Sequence, residues 1–279
     1  MKKQGVQEVK ELLLVVKEQF ANFGIIKRMS RYESKANFQN HYLGMLWEII
    51  NPLLQVGTNF LIFGVGIAGN RNVGTVPFFT WMIIGMSCWM FMNASIMGTA
   101  RSVRQNVGLV SKMKFPVSTL PSINIARNLP DFFVMITLSV IAVIASGFFP
   151  NLYWVQLIYY FISMVAFMFV LGLLNSTITV LFVDYQHILS SALRLLMFFS
   201  GVVWNVETIN FPEWFRSLLR LNPIFYIING FRESLIYRRF FLTEHMNITL
   251  FFWGLVLLTG IIGAHLHLKF RDKFTDLVK

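Results

Sequence analysis

The sequence predicts an all-α integral membrane protein with six transmembrane helices, an N-terminal amphipathic interface helix, and a re-entrant helical pair before the last span. Three observations carry this reading. Of 279 residues, 56% are hydrophobic and only 13% charged, where soluble domains carry about a quarter. Apolar runs near the length of a bilayer crossing recur along the chain. The basic residues, which give a net charge of +11, flank those runs instead of forming one tract. That pattern orients a protein across a membrane and argues against nucleic acid as a partner.

Residues 1–46 read as a cytoplasmic segment of amphipathic or interface helices. Leu12 to Val16 is the only early apolar run, and Lys17 and Glu18 interrupt it, whereas a cleaved signal needs roughly 7 to 15 apolar residues. Val6, Val9, Leu13, Val16, Phe20 and Phe23 alternate spacings of three and four, which makes one helical stripe opposite Lys10, Glu11, Lys17 and Glu18. Such a helix lies on a membrane surface or on a soluble partner, and the stripe alone does not separate the two.

The transmembrane domain covers 47–268, followed by a cytoplasmic tail, 269–279. Crossing about 30 Å of hydrocarbon takes roughly 20 apolar residues. Trp47 to Ala68, Val76 to Met97, Leu129 to Phe149, Tyr153 to Phe182 and Ile248 to Leu268 meet that length. Ile188 to Val206 is a sixth candidate with Arg194 inside it. Pro150 and Asn151 leave almost no loop between the third and fourth spans, which requires a tight hairpin. With the N-terminus inside, sixteen Lys and Arg fall on the cytoplasmic side and six on the other. Both termini are therefore read as cytoplasmic. The extracellular stretch 207–247 is too apolar for a solvated loop and is interrupted by Pro212 and Pro223. Two half-helices that dip into the bilayer, or a compact amphipathic cap on the outer leaflet, would each shelter it.

Catalytic patterns are missing. There is no GxxxxGK[ST], so ATP and magnesium are assigned to a partner, with no cofactor in this chain. GxSxG and HExxH are also absent, which leaves no catalytic residue to name. His265 and His267 form an HxH without a third ligand, and we assign no metal. Cys88 is the single cysteine, so no internal disulfide is available.

Polar residues within spans mark interior surfaces or a pathway. Glu48, Asn51, Gln55 and Asn59 recur at spacings of three and four and share one face of the first span. With Arg194 they are the candidate pathway lining. Arg127 and Asp131, four apart, suit a mutual pair or a substrate contact.

Particular stretches resemble the membrane permeases of ATP-binding-cassette exporters of cell-surface polymers, such as teichoic acids and O-antigen polysaccharides. Arg31 and Tyr32, Tyr42 to Trp47, and Asn51 to Leu54 are similar to that family's approach to its first span. Lys112 to Pro116 with Leu120 and Pro121 is similar to the segment between spans two and three. Leu221, Asn222, Pro223, Phe231, Arg232 and Glu233 are similar to its re-entrant region. The resemblance covers nearly the whole chain and implies a homodimeric permease in a bacterial plasma membrane, bound by two copies of a separate ATPase. By that resemblance a coupling helix lies at about 102–116, with Val107, Leu109, Lys112, Lys114, Phe115 and Pro116 on the ATPase. Asp184, Tyr185 and His187 make a second contact, and Asn222, Pro223, Phe231, Arg232 and Glu233 form the outer gate.

The implied cargo is a polymer on a polyprenyl pyrophosphate lipid. Lys27, Arg28, Arg31, Lys35, Arg101 and Arg104 cluster where its pyrophosphate would arrive, though ordinary anionic lipids attract the same charges. Teichoic acid is the preferred cargo, because Lys17 to Trp47 and Phe78 to Trp81 look most like the Gram-positive permeases. O-antigen, or a small drug or lipid, are the alternatives within the class, and a membrane-embedded glycolipid-modifying enzyme is the alternative outside it.

Overall fold

The computed structural model describes residues 2–38, 42–67, 72–106, 108, 115–205, 212–271 and 274. Among them the backbone is helical apart from turns and one antiparallel bridge, Val73 to Val76. Five helical stretches are long and apolar enough to cross a membrane: Trp47–Gly66, Phe78–Gln105, Val117–Ala145, Leu152–Leu181 and Met246–Phe270.

Two helices precede them, α1 (Lys2–Ala21) and α2 (Phe23–Phe38), separated at Asn22, whose amide donates to Glu18 O at 2.9 Å. The first crossing is α3 (Trp47–Asn59), continued by a π-helical turn, Phe60–Ile67. The second is α4 (Phe78–Gln105), which starts after Pro77, where a missing N–H costs nothing. Helix α4 is the axis of the molecule. Its most apolar window is 78% buried, against 17% for α3.

The third crossing begins earlier than the sequence suggested. It is built from α5 (Leu120–Arg127) and α6 (Leu129–Ala145), broken at Asn128. Pro121 and Pro130 each sit in the first turn of their helix, where proline starts a helix instead of extending one. The helix also ends at Ala145, short of the expected Phe149, because Gly147 takes a left-handed φ of 88°. The expected hairpin follows. Asn151 accepts a bond from Tyr153 N at 2.9 Å and caps the next turn.

Helix α7 (Gln156–Leu181) packs against α4 and against the last crossing, α12 (Met246–Phe270). Between them lie α8 (Tyr185–Phe199), α9 (Glu213–Arg220), α10 (Pro223–Arg232) with a π-turn Glu233–Tyr237, and α11 (Phe241–Glu244). Helix α8 has 15 residues, about 22 Å of rise and short of a full crossing on its own. Its ends are nevertheless far apart. Tyr185 donates to Asn175 near the last turn of α7, while the carbonyls just past Ser200 meet Arg232 beside Trp81, in the first turn of α4.

Helices α1 and α2 lie against the bundle. Glu11 pairs with His265 at 2.9 Å and Glu18 with Arg271 at 3.3 Å. Ser118 Oγ donates to Glu18 at 2.5 Å, and Gln19 bonds Ser118 and Ser122. The face opposite those acids stays uncovered: Leu13 is 61% exposed, Phe20 76% and Phe23 63%. Helix α1 therefore holds the bundle through these polar contacts and through Leu12 and Val15 on Leu173 and Ala264, while Leu13 and Phe20 face outward, as an interfacial helix requires.

Candidate functional site

The polar face of α3 is the first element of the site. Glu48 and Asn59 are half-buried, Asn51 and Gln55 exposed. Only Pro52 and Val56 of this helix are buried. Asn59 donates back to Gln55 O of its own helix at 2.8 Å, and the side chains of Glu48, Asn51 and Gln55 make no hydrogen bond to another described element. Gln55 borders a cavity of about 180 Å³ between α3, α4 and α6, which Asn93, Asn128 and Asp131 also line. Arg194 sits apart, exposed on α8 and bonded to Ser191 at 2.9 Å.

Arg127 and Asp131 do not pair. The break at Asn128 separates them into two helices, and Arg127 reaches Glu33 of α2 at 3.4 Å. That contact fastens α2 to α5 and leaves Asp131 facing the cavity.

At the end of the bundle where α1 meets α12, a second cavity of about 310 Å³ is lined by Ser30, Arg31, Ser34, Lys35 and Glu48. Arg31 and Lys35 of the basic cluster thus converge with the first turn of α3. Lys27 and Arg28 are exposed on the same helix, Arg28 bonding Gly24 O at 3.3 Å. Arg101 and Arg104 are exposed in the last turns of α4.

Of the residues assigned to coupling, Val107, Leu109, Lys112 and Lys114 lie outside the described residues. Phe115 packs with Ile26, Val103, Val117, Leu120, Val180 and Phe274. That cluster joins α2, α4, α5 and α7 at one end of the bundle. Pro116 O accepts from Thr119, both from its backbone N at 2.9 Å and from its hydroxyl at 2.7 Å. Asp184 is exposed at the start of α8 and His187 in its first turn, and Tyr185 donates to Asn175 at 2.7 Å.

At the opposite end, Asn222 caps α10 by accepting from Ile224 N at 3.0 Å and donates to Ser200 at 2.9 Å. Pro223 opens the helix. Phe231 packs beside Phe132 and Tyr160. Arg232 is 1% exposed and ties three segments together. Its guanidinium donates to Trp81 O at 3.2 Å, Gly201 O at 2.7 Å and Val202 O at 2.9 Å. It also stacks 3.3 Å from the Trp81 ring centre. The Gly201 carbonyl is presented by a left-handed turn at φ 62° that ends α8. Gly85 makes room, since a Cβ there would run into the Arg232 guanidinium.

Sequence reasoning had Arg232 but missed its partners, Trp81 and the α8 carbonyls. It also missed the chain Trp253 to Tyr159 to Tyr226 to Thr249, with contacts of 2.8, 3.1 and 3.2 Å, which binds α12, α7 and α10. No spacing rule signals contacts across 67 to 94 positions. The grip of α1 did leave a trace, because Glu11 and Glu18 are two turns apart on one face.

The profile of the ABC-2 type transporter family matches residues 25–236, from α2 through the π-turn after α10. The chain belongs to that family. Among its relatives, the O-antigen export system permease protein RfbA of Myxococcus xanthus is 29% identical over 224 residues, which are 79% of this chain and 84% of the relative. A Klebsiella pneumoniae protein of the same name is 24% identical over 257 residues, 92% and 95% of the two chains. The polysialic acid transport protein KpsM of Escherichia coli is 21% identical over 206 residues, 73% and 78%. As an ABC-2 permease, the chain is a multi-pass membrane subunit, is not itself the enzyme, and works with a separate ATPase.

Proposed function

We propose that this ABC-2 permease exports a cell-surface polysaccharide-class polymer, carried on a polyprenyl pyrophosphate lipid, across a bacterial plasma membrane. The observation that carries it is the uncovered polar face of α3. Glu48, Asn51 and Gln55 stand on a membrane-spanning helix without hydrogen-bond partners among the described residues of other elements. Hydrocarbon does not tolerate that arrangement, so this face meets water or a second copy of the chain. A homodimer with a hydrated pathway between the two α3 faces answers both requirements.

Two ATPase copies bind the end that carries 102–116 and Asp184 to His187, with Val107, Leu109, Lys112 and Lys114 at their surface. Both termini then lie in the cytoplasm. Six crossings follow if α8 and its tail traverse the bilayer, which the distance between its ends supports. Helix α10 is buried between α4 and α7, which favours a re-entrant pair over a surface cap. Arg31 and Lys35, lining one cavity with Glu48, receive the pyrophosphate, with Lys27, Arg28, Arg101 and Arg104 drawing it to the surface.

Teichoic acid remains the finer reading of the cargo, on the resemblance of Lys17 to Trp47 and Phe78 to Trp81. The names of the relatives favour a second, an O-antigen-type polysaccharide. Proteoliposomes holding the permease and its ATPase, offered each lipid-linked polymer and a small hydrophobe, decide among them. ATP-dependent movement of one polymer supports the reading; movement of the hydrophobe alone, or ATP hydrolysis by the permease alone, refutes it. Pro116→Ala or Lys112→Glu should leave ATP hydrolysis intact and abolish export.

A further inference from the structure

Beneath α9 and α10 lies a cavity of about 410 Å³ that is distinct from the one beside α3. Its size falls within the roughly 300 to 1,000 Å³ of small-molecule sites. The rings of Trp204, Phe225 and Tyr237 line it, interleaved with Asn229, Glu233 and His245. Arg232 closes one side, with Nε, Nη1 and Nη2 each already donating to a backbone carbonyl. Glu233 Oε2 is buried and has no hydrogen-bond partner.

This lining has a definite chemistry. Flat aromatic faces bury apolar C–H surface, and an amide and an imidazole each offer a donor and an acceptor. A carboxylate accepts from two neighbouring hydroxyls at once. Arg220 and Arg232 line the same cavity as Glu233, so charge of both signs faces the ligand, and hydroxyls, which both donate and accept, answer the two. A ring with C–H faces and adjacent hydroxyls satisfies every wall.

We propose that the cavity formed by Trp204, Phe225, Asn229, Glu233 and Tyr237 binds one neutral pyranose unit, as a saccharide subsite within each protomer. It rests on the polymer-export reading and adds a holding point at the far end of the bundle, apart from the polar face of α3. A unit seated there touches α10 and the end of α8 together, so its presence fixes the segments that Arg232 joins.

The test uses the full chain with its ATPase in nanodiscs and saturation-transfer NMR. The probes are methyl β-glucopyranoside, methyl N-acetyl-β-glucosaminide, and glycerol 3-phosphate as the anionic arm. Both glycosides should receive saturation and glycerol 3-phosphate should not. Glu233→Gln, which keeps the volume and removes a charged acceptor, should weaken glycoside binding about tenfold. Asn229→Ala serves as the second variant if Glu233→Gln does not yield a monodisperse complex. Absence of glycoside signal in the wild type overturns the proposal, as does preference for glycerol 3-phosphate or binding unchanged in both variants. Polymer export in proteoliposomes separates the two readings. Export without glycoside binding removes the subsite alone, and glycoside binding without any polymer export removes the export reading alone.

Discussion

Helices α3 and α4 are neighbouring crossings with opposite solutions to the same problem, polar groups at membrane depth. In α4 every buried hydroxyl is answered from within the chain. Thr80 meets Ser146 at 2.7 Å, Ser87 meets Ser139 at 2.7 Å, and Ser95 accepts from Asn128 at 3.3 Å. Helix α3 carries larger polar side chains, and for Glu48, Asn51 and Gln55 no such answer exists among the described residues. The first helix is finished by its own fold. Helix α3 instead keeps polar groups that no described residue answers, which is why the proposed pathway runs along α3 and not along the central α4.

The contrast can be broken at its strongest point first. Gly230→Leu places a side chain where even a Cβ would run into the Tyr160 ring, and we expect no monodisperse protein by size-exclusion chromatography. Recovery of folded protein would mean that α10 does not sit against α7. Next, Arg232→Ala orphans three carbonyls and should lower stability by roughly 3 kcal/mol in a thermal or denaturant unfolding series. Arg232→Lys should recover little, since an ammonium cannot reach three carbonyls as a planar fork does.

On the α3 side the pattern inverts. Asn51→Leu combined with Gln55→Leu should change stability by no more than about 0.5 kcal/mol while cutting ATP-driven export at least tenfold. A stability loss like that of Arg232→Ala would show that the face is covered within the protomer, against the comparison. The smallest effect is reserved for Glu11→Gln. Its pair with His265 is partly exposed, with side chains 22% and 43% accessible, so unfolding measurements should register less than about 1 kcal/mol.

Much of this was legible before any geometry. Five crossings, the amphipathic stripe read from Val6 to Phe23, the hairpin at Pro150 and the polar face from Glu48 to Asn59 all follow from spacing along one segment. Of the two readings of Arg127 and Asp131, the mutual pair does not form, because i, i+4 reasoning presumes an unbroken helix and a new one starts just past Asn128. The function of Trp81 was invisible for a different reason. An aromatic near a span end reads as an interfacial anchor, and only folding brings it under a guanidinium 151 positions away.

The sequence by itself determined the solvent, the approximate crossings and the absence of a phosphate loop, because hydrophobic length and helical periodicity are properties of contiguous residues. Tertiary structure alone decided that Arg232 knots α4, α8 and α10 together, that Glu33 takes Arg127, and that no other described element hydrogen-bonds Glu48, Asn51 and Gln55. Those outcomes depend on which helices become neighbours, and close packing between distant segments leaves no periodic trace in the chain.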